Sequence, residues 1–127
     1  MTKRDISLLQ VYGIKNCNTV KKSLDWLSDN NHAYEFFDVK KGVLDKALLR
    51  EWIQGMSISY TWLNLVNKAS SSWKQLSSES KAELVTSEDA INMIIKKPTI
   101  MKRPVITRQG KIIIIGFDQT LYKEQLK

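Results

Sequence analysis

The segment VYGIKNCNTVKKSLDWL, residues 11–27, indicates the fold most clearly. It links a short apolar run, Ser7–Tyr12, which predicts a buried strand, to a segment with apolar residues at helical spacing, Thr19–Asn30. Gly13 separates the two. The next run, Tyr34–Val39, is aromatic and β-branched and predicts a second strand. Strand, helix and strand in this order predict a βαβ unit with parallel strands.

The C-terminal part predicts a β-hairpin. Val105–Thr107 and Lys111–Ile115 are strand-like runs that flank the tight turn Gln109-Gly110, and Gln119–Leu126 predicts a final helix. Between the two halves, apolar spacing predicts further helices, and Ser87 with Asp89 predicts the N-cap of the last of them. These helices are predicted at Leu44–Ile53, Ser59–Val66, Ser77–Glu83 and Ser87–Lys96, with a serine-rich loop at Asn67–Trp73.

This order of elements predicts an α/β fold of the thioredoxin-like (glutaredoxin-like) type. A βαβ half and a ββα half form the sheet core, at about residues 7–42 and 98–127. A helical subdomain, at about residues 43–97, is inserted between them. We expect one domain over residues 1–127, since this length corresponds to about one domain.

Composition narrows the function class. The net charge of +7 allows an anionic ligand, but the lysines are spread along the chain without an arginine-rich arm, which disfavours direct nucleic-acid binding. The N-terminal residues carry both charges and no long apolar run, which predicts no secretory leader. No run approaches the length of a membrane span, so we expect no membrane association and a cytoplasmic location, where a lone thiol stays reduced.

The chain has one cysteine, Cys17, and one histidine, His32. An intramolecular disulfide and a cysteine-rich zinc site are therefore excluded, and we predict no metal site and no bound cofactor. Val20 stands where a C-x-x-C motif would have its second cysteine. Any disulfide at Cys17 must then form with glutathione, with another protein or with a second copy of this chain.

Cys17 follows a predicted strand and loop and precedes a predicted helix. Free N–H groups and the positive end of the helix dipole favour a thiolate there. Lys15, Lys21 and Lys22 add positive charge nearby. The alternative is a buried, inert cysteine, which is the common state of free cysteines.

Two further groups are candidates for the site. Pro104 precedes a predicted strand, where a thioredoxin-like fold has a cis-proline beside its active cysteine, and Arg103 is placed to hold an anion unless it is only solvated. Asn16, Asn18 and Thr19 can offer donors to an oxyanion. Their alternative role is loop and cap chemistry, with Asn18 or Thr19 as the N-cap of the helix.

These residues belong to segments that resemble the arsenate reductase/Spx (ArsC-like) group, most closely its YffB-type or Spx-type branch. The segments are residues 11–27, LVNKASSSWKQL, IKKPTIMKRPVI and GKIIIIGFD, in the same order as in that group. The resemblance implies that Cys17 is the nucleophile, that Arg103 and Pro104 form the RP motif, and that glutathione is a co-substrate. Spx members instead bind the RNA polymerase α subunit.

This chain lacks some of the basic residues of the group's arsenate reductases, which affects the substrate we expect. Arsenate reductases have an arginine in the block matching Asn67–Ser70, where this chain has only Lys68, and another where it has Gly116-Phe117. An oxyanion with two charges needs several charge-assisted donors. We therefore expect a glutathione-linked monothiol reductase acting on glutathione or protein thiol adducts. The alternative is a Spx-like regulator that binds the RNA polymerase α subunit without catalysis.

Overall fold

The structure is a computed structural model that describes residues 7–126. Its chain divides into two compact units. The described part of the first unit comprises residues 7–38 and 103–126, and the second unit is Val39–Lys102. The core and insertion boundaries predicted from sequence stay a prediction.

The first unit contains a four-stranded mixed sheet. Its strands are β1 (Leu9–Gly13), β2 (Tyr34–Asp38), β3 (Val105–Arg108) and β4 (Lys111–Ile115), in the spatial order β2-β1-β3-β4. β1 is parallel to β2 and antiparallel to β3, and β3 and β4 form an antiparallel hairpin. The predicted α/β class, the parallel βαβ pair and the hairpin are confirmed.

Helices account for most of the remaining described residues. The α-helices are α1 (Asn18–Asp29), α2 (Lys46–Gln54), α3 (Ser71–Lys74), α4 (Ser78–Ala82), α5 (Ser87–Lys96) and α6 (Gln119–Gln125). Short 3₁₀ helices occur at Val39–Lys41, Trp62–Leu65 and Pro98–Ile100.

The core of the first unit joins the sheet to α1 and α6. Apolar residues alternate along the strands and recur at helical spacing along α1, so one face of each element can be buried. Tyr122 of α6 links these elements through hydrogen bonds: its hydroxyl donates to the Gly116 carbonyl oxygen at 2.7 Å and lies 2.8 Å from Ser23 Oγ of α1. The buried cluster consists of Leu9, Val11, Trp26, Leu27, Ile106, Ile114, Tyr122 and Leu126.

The second unit packs around α5. This helix contacts α2 and the two 3₁₀ segments at residues 62–65 and 98–100. A bidentate ion pair between Arg50 of α2 and Glu88 of α5 lies on the surface, with one N–O distance of 2.6 Å. The buried apolar side chains include Leu49, Trp52, Leu65, Ala90, Ile91, Ile94 and Ile100.

Three local predictions in the second unit need correction. The segment Asn67–Trp73 is not all loop, because Ser70 Oγ accepts a hydrogen bond from the Trp73 N–H at 3.1 Å and begins α3 there. The predicted helix Ser59–Val66 is only a 3₁₀ turn at Trp62–Leu65, which is too short to bury a helical face.

The third difference is that the N-cap of α5 lies one residue earlier than predicted. Its N-cap is Thr86 and not Ser87. Thr86 Oγ1 and the Asp89 carboxylate cap each other's backbone N–H groups, which is a capping box. A capping box requires the cap residue three positions before the acid, which Thr86 satisfies and Ser87 does not.

Candidate active site

The strand pairing places the loop that leads to Cys17 and the segment before β3 at one edge of the sheet. β1 ends at Gly13, and Tyr12 pairs with Val105, the first residue of the antiparallel β3. Because antiparallel neighbours run in opposite directions, the residues that follow β1 and those that precede β3 leave the sheet at the same edge. Cys17 and Pro104 therefore belong to the same end of the first unit.

The peptide bond between Arg103 and Pro104 is cis, as predicted. Pro104 is buried, and its carbonyl oxygen accepts a hydrogen bond from the Gly116 N–H at 2.8 Å. Arg103 is half-buried directly before it. The proline is thus fixed by the hairpin at the edge where the cysteine loop begins.

Cys17 is the N-cap residue of α1. Its backbone is extended (φ −108°, ψ 122°), and its carbonyl oxygen accepts the first helical hydrogen bond from the Lys21 N–H at 2.9 Å. The prediction that Asn18 or Thr19 caps this helix is wrong, since both already lie within its first turn. Cys17 is half-buried and not fully buried, while the choice between a reactive and an inert thiol stays a prediction.

The N-terminus of α1 differs from those of the other α-helices in residues 7–126. Each of the others begins at a residue whose side-chain oxygen accepts an N–H of the first turn, whereas Cys17 makes no such bond and the first turn of α1 has no acidic residue. The first-turn N–H groups of α1 thus have no side-chain cap. The capping residues of the other helices are Asp45, Ser70, Ser77, Thr86 and Asp118.

Four predicted anion-binding residues surround this N-terminus. Lys15 and Asn16 lie in the loop before Cys17, and Asn18 and Thr19 lie in the first turn after it. All four side chains are exposed. The structure therefore brings them together with Cys17 at one helix end, while their roles toward a ligand stay predictions.

Lys68 belongs to the second unit. Its ammonium group lies over the indole ring of Trp73, with Nζ 5.4 Å from the ring centroid. This distance is within the range of a cation–π contact, which positions the side chain. Its predicted part in anion binding stays a prediction.

The sequence analysis did not predict the close contact between Val20 of α1 and Gly13 of β1. A Cβ atom on Gly13 would lie 2.7 Å from Cγ2 and 3.1 Å from Cγ1 of Val20, which is 1% exposed. Only a glycine lets the first turn of α1 approach β1 so closely. The signal in the sequence is a glycine at the end of a strand, which often marks a close backbone approach.

In residues 7–126, no three His, Cys, Asp or Glu side chains come together as a metal site. Within the same residues, no helix combines the length and apolar character needed to cross a bilayer.

Comparison with known proteins shows the family to which this chain belongs. The model of the ArsC family matches residues 12–125, which include the cysteine loop, the cis-proline and the whole insertion. This chain belongs to the ArsC family. A Haemophilus influenzae protein of uncharacterised function is 37% identical to it over 116 residues, which are 91% of this chain and 96% of that protein.

Two solved structures are similar to this ArsC-family chain along nearly its whole length. A YffB protein has 31% identity and a TM-score of 0.81, covering 94% of this chain and 99% of its own. An arsenate reductase (ArsC) related protein from Brucella melitensis has 31% identity and a TM-score of 0.72, covering 98% and 99%. The resemblance to a YffB-type member and the thioredoxin-like fold are thereby confirmed, and the family and fold together identify a thiol-redox protein.

Proposed function

We propose that this ArsC-family protein is a glutathione-linked monothiol reductase in which Cys17 is the nucleophile. The observation that carries the proposal is the N-terminus of α1, where a half-buried thiol takes the place of the capping oxygen found on the other described α-helices. The chain has no second cysteine. A thiol nucleophile that has no partner cysteine in its own chain needs an external thiol to complete a cycle.

The proposed cycle has two thiol–disulfide exchanges. The Cys17 thiolate attacks the glutathione sulfur of a glutathionylated substrate, and an S–S bond forms to Cys17 while the substrate leaves as a thiolate. A second glutathione thiolate then attacks the glutathione sulfur on Cys17, which releases oxidised glutathione and restores the Cys17 thiolate. In sum, the substrate is released as a thiol, and its glutathionyl group and one free glutathione become oxidised glutathione, so electrons and atoms balance.

The basic residues have a defined part in this proposal. Glutathione carries two carboxylates, and the half-buried Arg103 beside cis-Pro104 can orient one of them through charge-assisted hydrogen bonds. Lys15 adds an exposed positive charge on the cysteine loop. Arsenate is the weaker candidate substrate, because Arg103 is the one arginine that the chain keeps of the three expected for an arsenate reductase.

Trapping and turnover measurements test the proposal. Mass spectrometry of wild-type protein incubated with glutathionylated substrate is expected to show one glutathione on Cys17, and Cys17→Ser is expected to show none and no turnover. Arg103→Gln is expected to raise KM for the glutathionylated substrate by about 10-fold or more, the size of a lost charge-assisted hydrogen bond.

Lys102→Gln is the matched control for Arg103. It removes the same charge one residue earlier, from an exposed side chain, and is expected to change KM by less than about twofold, as for a solvated charge. Turnover that survives in Cys17→Ser, or equal effects of the two charge removals, would contradict the proposal.

A further inference from the structure

The second unit contains an open cleft that the thiol chemistry does not use. Its volume is about 340 Å³, at the lower end of the range for small-molecule sites. One wall is a single face of α5, formed by Asp89, Asn92, Met93 and Lys96 at positions i, i+3, i+4 and i+7. The other lining residues are Leu76, Ser80, Glu83, Lys97 and Ile100.

Charge is separated along this cleft. Asp89 lies in the first turn of α5 and Lys96 in its last turn, seven residues apart, which is about 10 Å along the helix axis. Glu83 is near the acidic end, because the N–H of Val85, two residues later, donates to Asp89 Oδ2 at 3.1 Å. Lys97 directly follows Lys96 at the basic end. The cleft thus has carboxylates at one end and ammonium groups at the other.

These charged groups have atoms that are available to bind a ligand. In the described part of the chain, Glu83, Lys96 and Lys97 form no ion pair, and the hydrogen bonds that Asp89 accepts, from Val85 and Thr86, all go to Oδ2. The second oxygen, Asp89 Oδ1, is left for a ligand. Donation by Thr86 also lowers the pKa of Asp89, which favours the ionised carboxylate.

The middle of the cleft combines apolar and hydrogen-bonding groups. Leu76 and Met93, which are half-buried, supply apolar surface. The amide of Asn92 lies between the two charged ends of α5, and the Ser80 hydroxyl also lines the cleft. An amide and a hydroxyl suit a ligand whose central part carries peptide groups, because each can donate or accept.

We propose that this cleft binds a short unblocked peptide of about three residues, with its ammonium group at Glu83 and Asp89 and its carboxylate at Lys96 and Lys97. An extended chain of three residues spans about 10 Å, which matches the separation of the charged ends. A single amino acid is too short to reach both ends. The proposal is independent of Cys17 and of the reductase function.

Trialanine, titrated into the full-length protein and followed by calorimetry and NMR, is the first probe. We expect saturable binding with a dissociation constant on the order of 1 mM or tighter, as for a small ligand of this size. Acetylation of its amino end or amidation of its carboxyl end is expected to weaken binding by about fivefold each, the size of one lost exposed ion pair. Alanine alone is expected not to saturate the site.

Charge-neutralising variants test which end of the peptide lies where. Glu83→Gln and Lys96→Gln are expected to weaken trialanine binding by about fivefold each. In Glu83→Gln, acetylation of the peptide is expected to cause a smaller loss than in the wild type, because only Asp89 then remains for the ammonium group. In Lys96→Gln, amidation is expected to cause a smaller loss for the same reason, because only Lys97 remains. Both side chains are exposed, so these variants are expected to unfold at the wild-type temperature. Lys111→Gln and Glu124→Gln remove the same charges from exposed positions in the first unit and serve as controls.

Three results would overturn the proposal. The first is the absence of saturable trialanine binding at peptide concentrations of tenfold the expected dissociation constant. The second is an equal change of binding in the cleft variants and in the control variants. The third is that the loss caused by a variant and the loss caused by blocking the matching end of the peptide add up in full.

Discussion

Replacement of Gly13 by alanine would place a methyl group against Val20 and move the first turn of α1 away from β1. The backbone of Gly13 is not in the left-handed region, so alanine itself is tolerated there. The conflict lies in the 2.7 Å from the new Cβ to Val20 Cγ2. Val20 cannot turn aside, since a β-branched side chain in a helix has essentially one rotamer.

The size of the effect follows from these distances. Carbon atoms pack at about 3.5–4.0 Å, so α1 must shift by about 1 Å. Overpacking of this kind costs about 1–3 kcal/mol in the free energy of unfolding. The shift acts on the same turn that begins at Cys17, and a 1 Å misplacement of a reacting group lowers a rate by up to about 100-fold.

The assay combines urea unfolding with the rate of Cys17 alkylation and the proposed reductase turnover. Val20→Ala is the matched variant, because it removes the two methyl groups with which the new Cβ would collide. Alone it is expected to cost about 2 kcal/mol as a cavity. In that background Gly13→Ala is expected to be neutral or to stabilise by up to about 1 kcal/mol, since alanine restricts the unfolded chain.

A steric conflict with Val20 is contradicted if Gly13→Ala is neutral in the wild-type background, or if it costs the same with Val20 present and absent. A loss of stability without any change at Cys17 would separate the two parts of the argument. It would show that the sheet and not the helix absorbs the shift.

Two further predictions concern hydrogen bonds that hold each unit together. Tyr122→Phe removes the hydroxyl between buried Ser23 and the Gly116 carbonyl, and is expected to cost about 1–3 kcal/mol in urea unfolding. Ser23→Ala leaves the bond to Gly116 intact and should cost less; the opposite order would contradict this network. Hydrogen bonds from the Thr86 N–H and hydroxyl lower the pKa of Asp89 below its usual 3.8, so the stability they confer is present above that pH and lost as the pH falls through the lowered value. The melting-temperature difference between wild type and Asp89→Asn should therefore shrink on acidification below pH 3.8, and a constant difference would show that the carboxylate charge is not what the cap uses.

Local patterns in the sequence predicted most helices and strands of the sheet core correctly. The apolar spacing of residues 19–30 predicted α1, and the turn at Gln109-Gly110 predicted the hairpin, because periodicity and turn chemistry act over a few neighbouring residues. Helix starts were less predictable. Cys17 and Thr86 each cap one residue before the first expected position, since the cap depends on which residue adopts an extended backbone.

The amino-acid sequence alone establishes that the chain has one thiol, that this thiol follows a predicted strand and precedes a predicted helix, and that the chain has no second cysteine to resolve it. The folded structure was needed to show that β3 pairs beside β1, which brings cis-Pro104 to the edge where the Cys17 loop begins. The structure was also needed to show the close contact between the first turn of α1 and Gly13, and the charged cleft along α5. These features depend on contacts between residues far apart in the chain, which spacing along a single sequence does not encode.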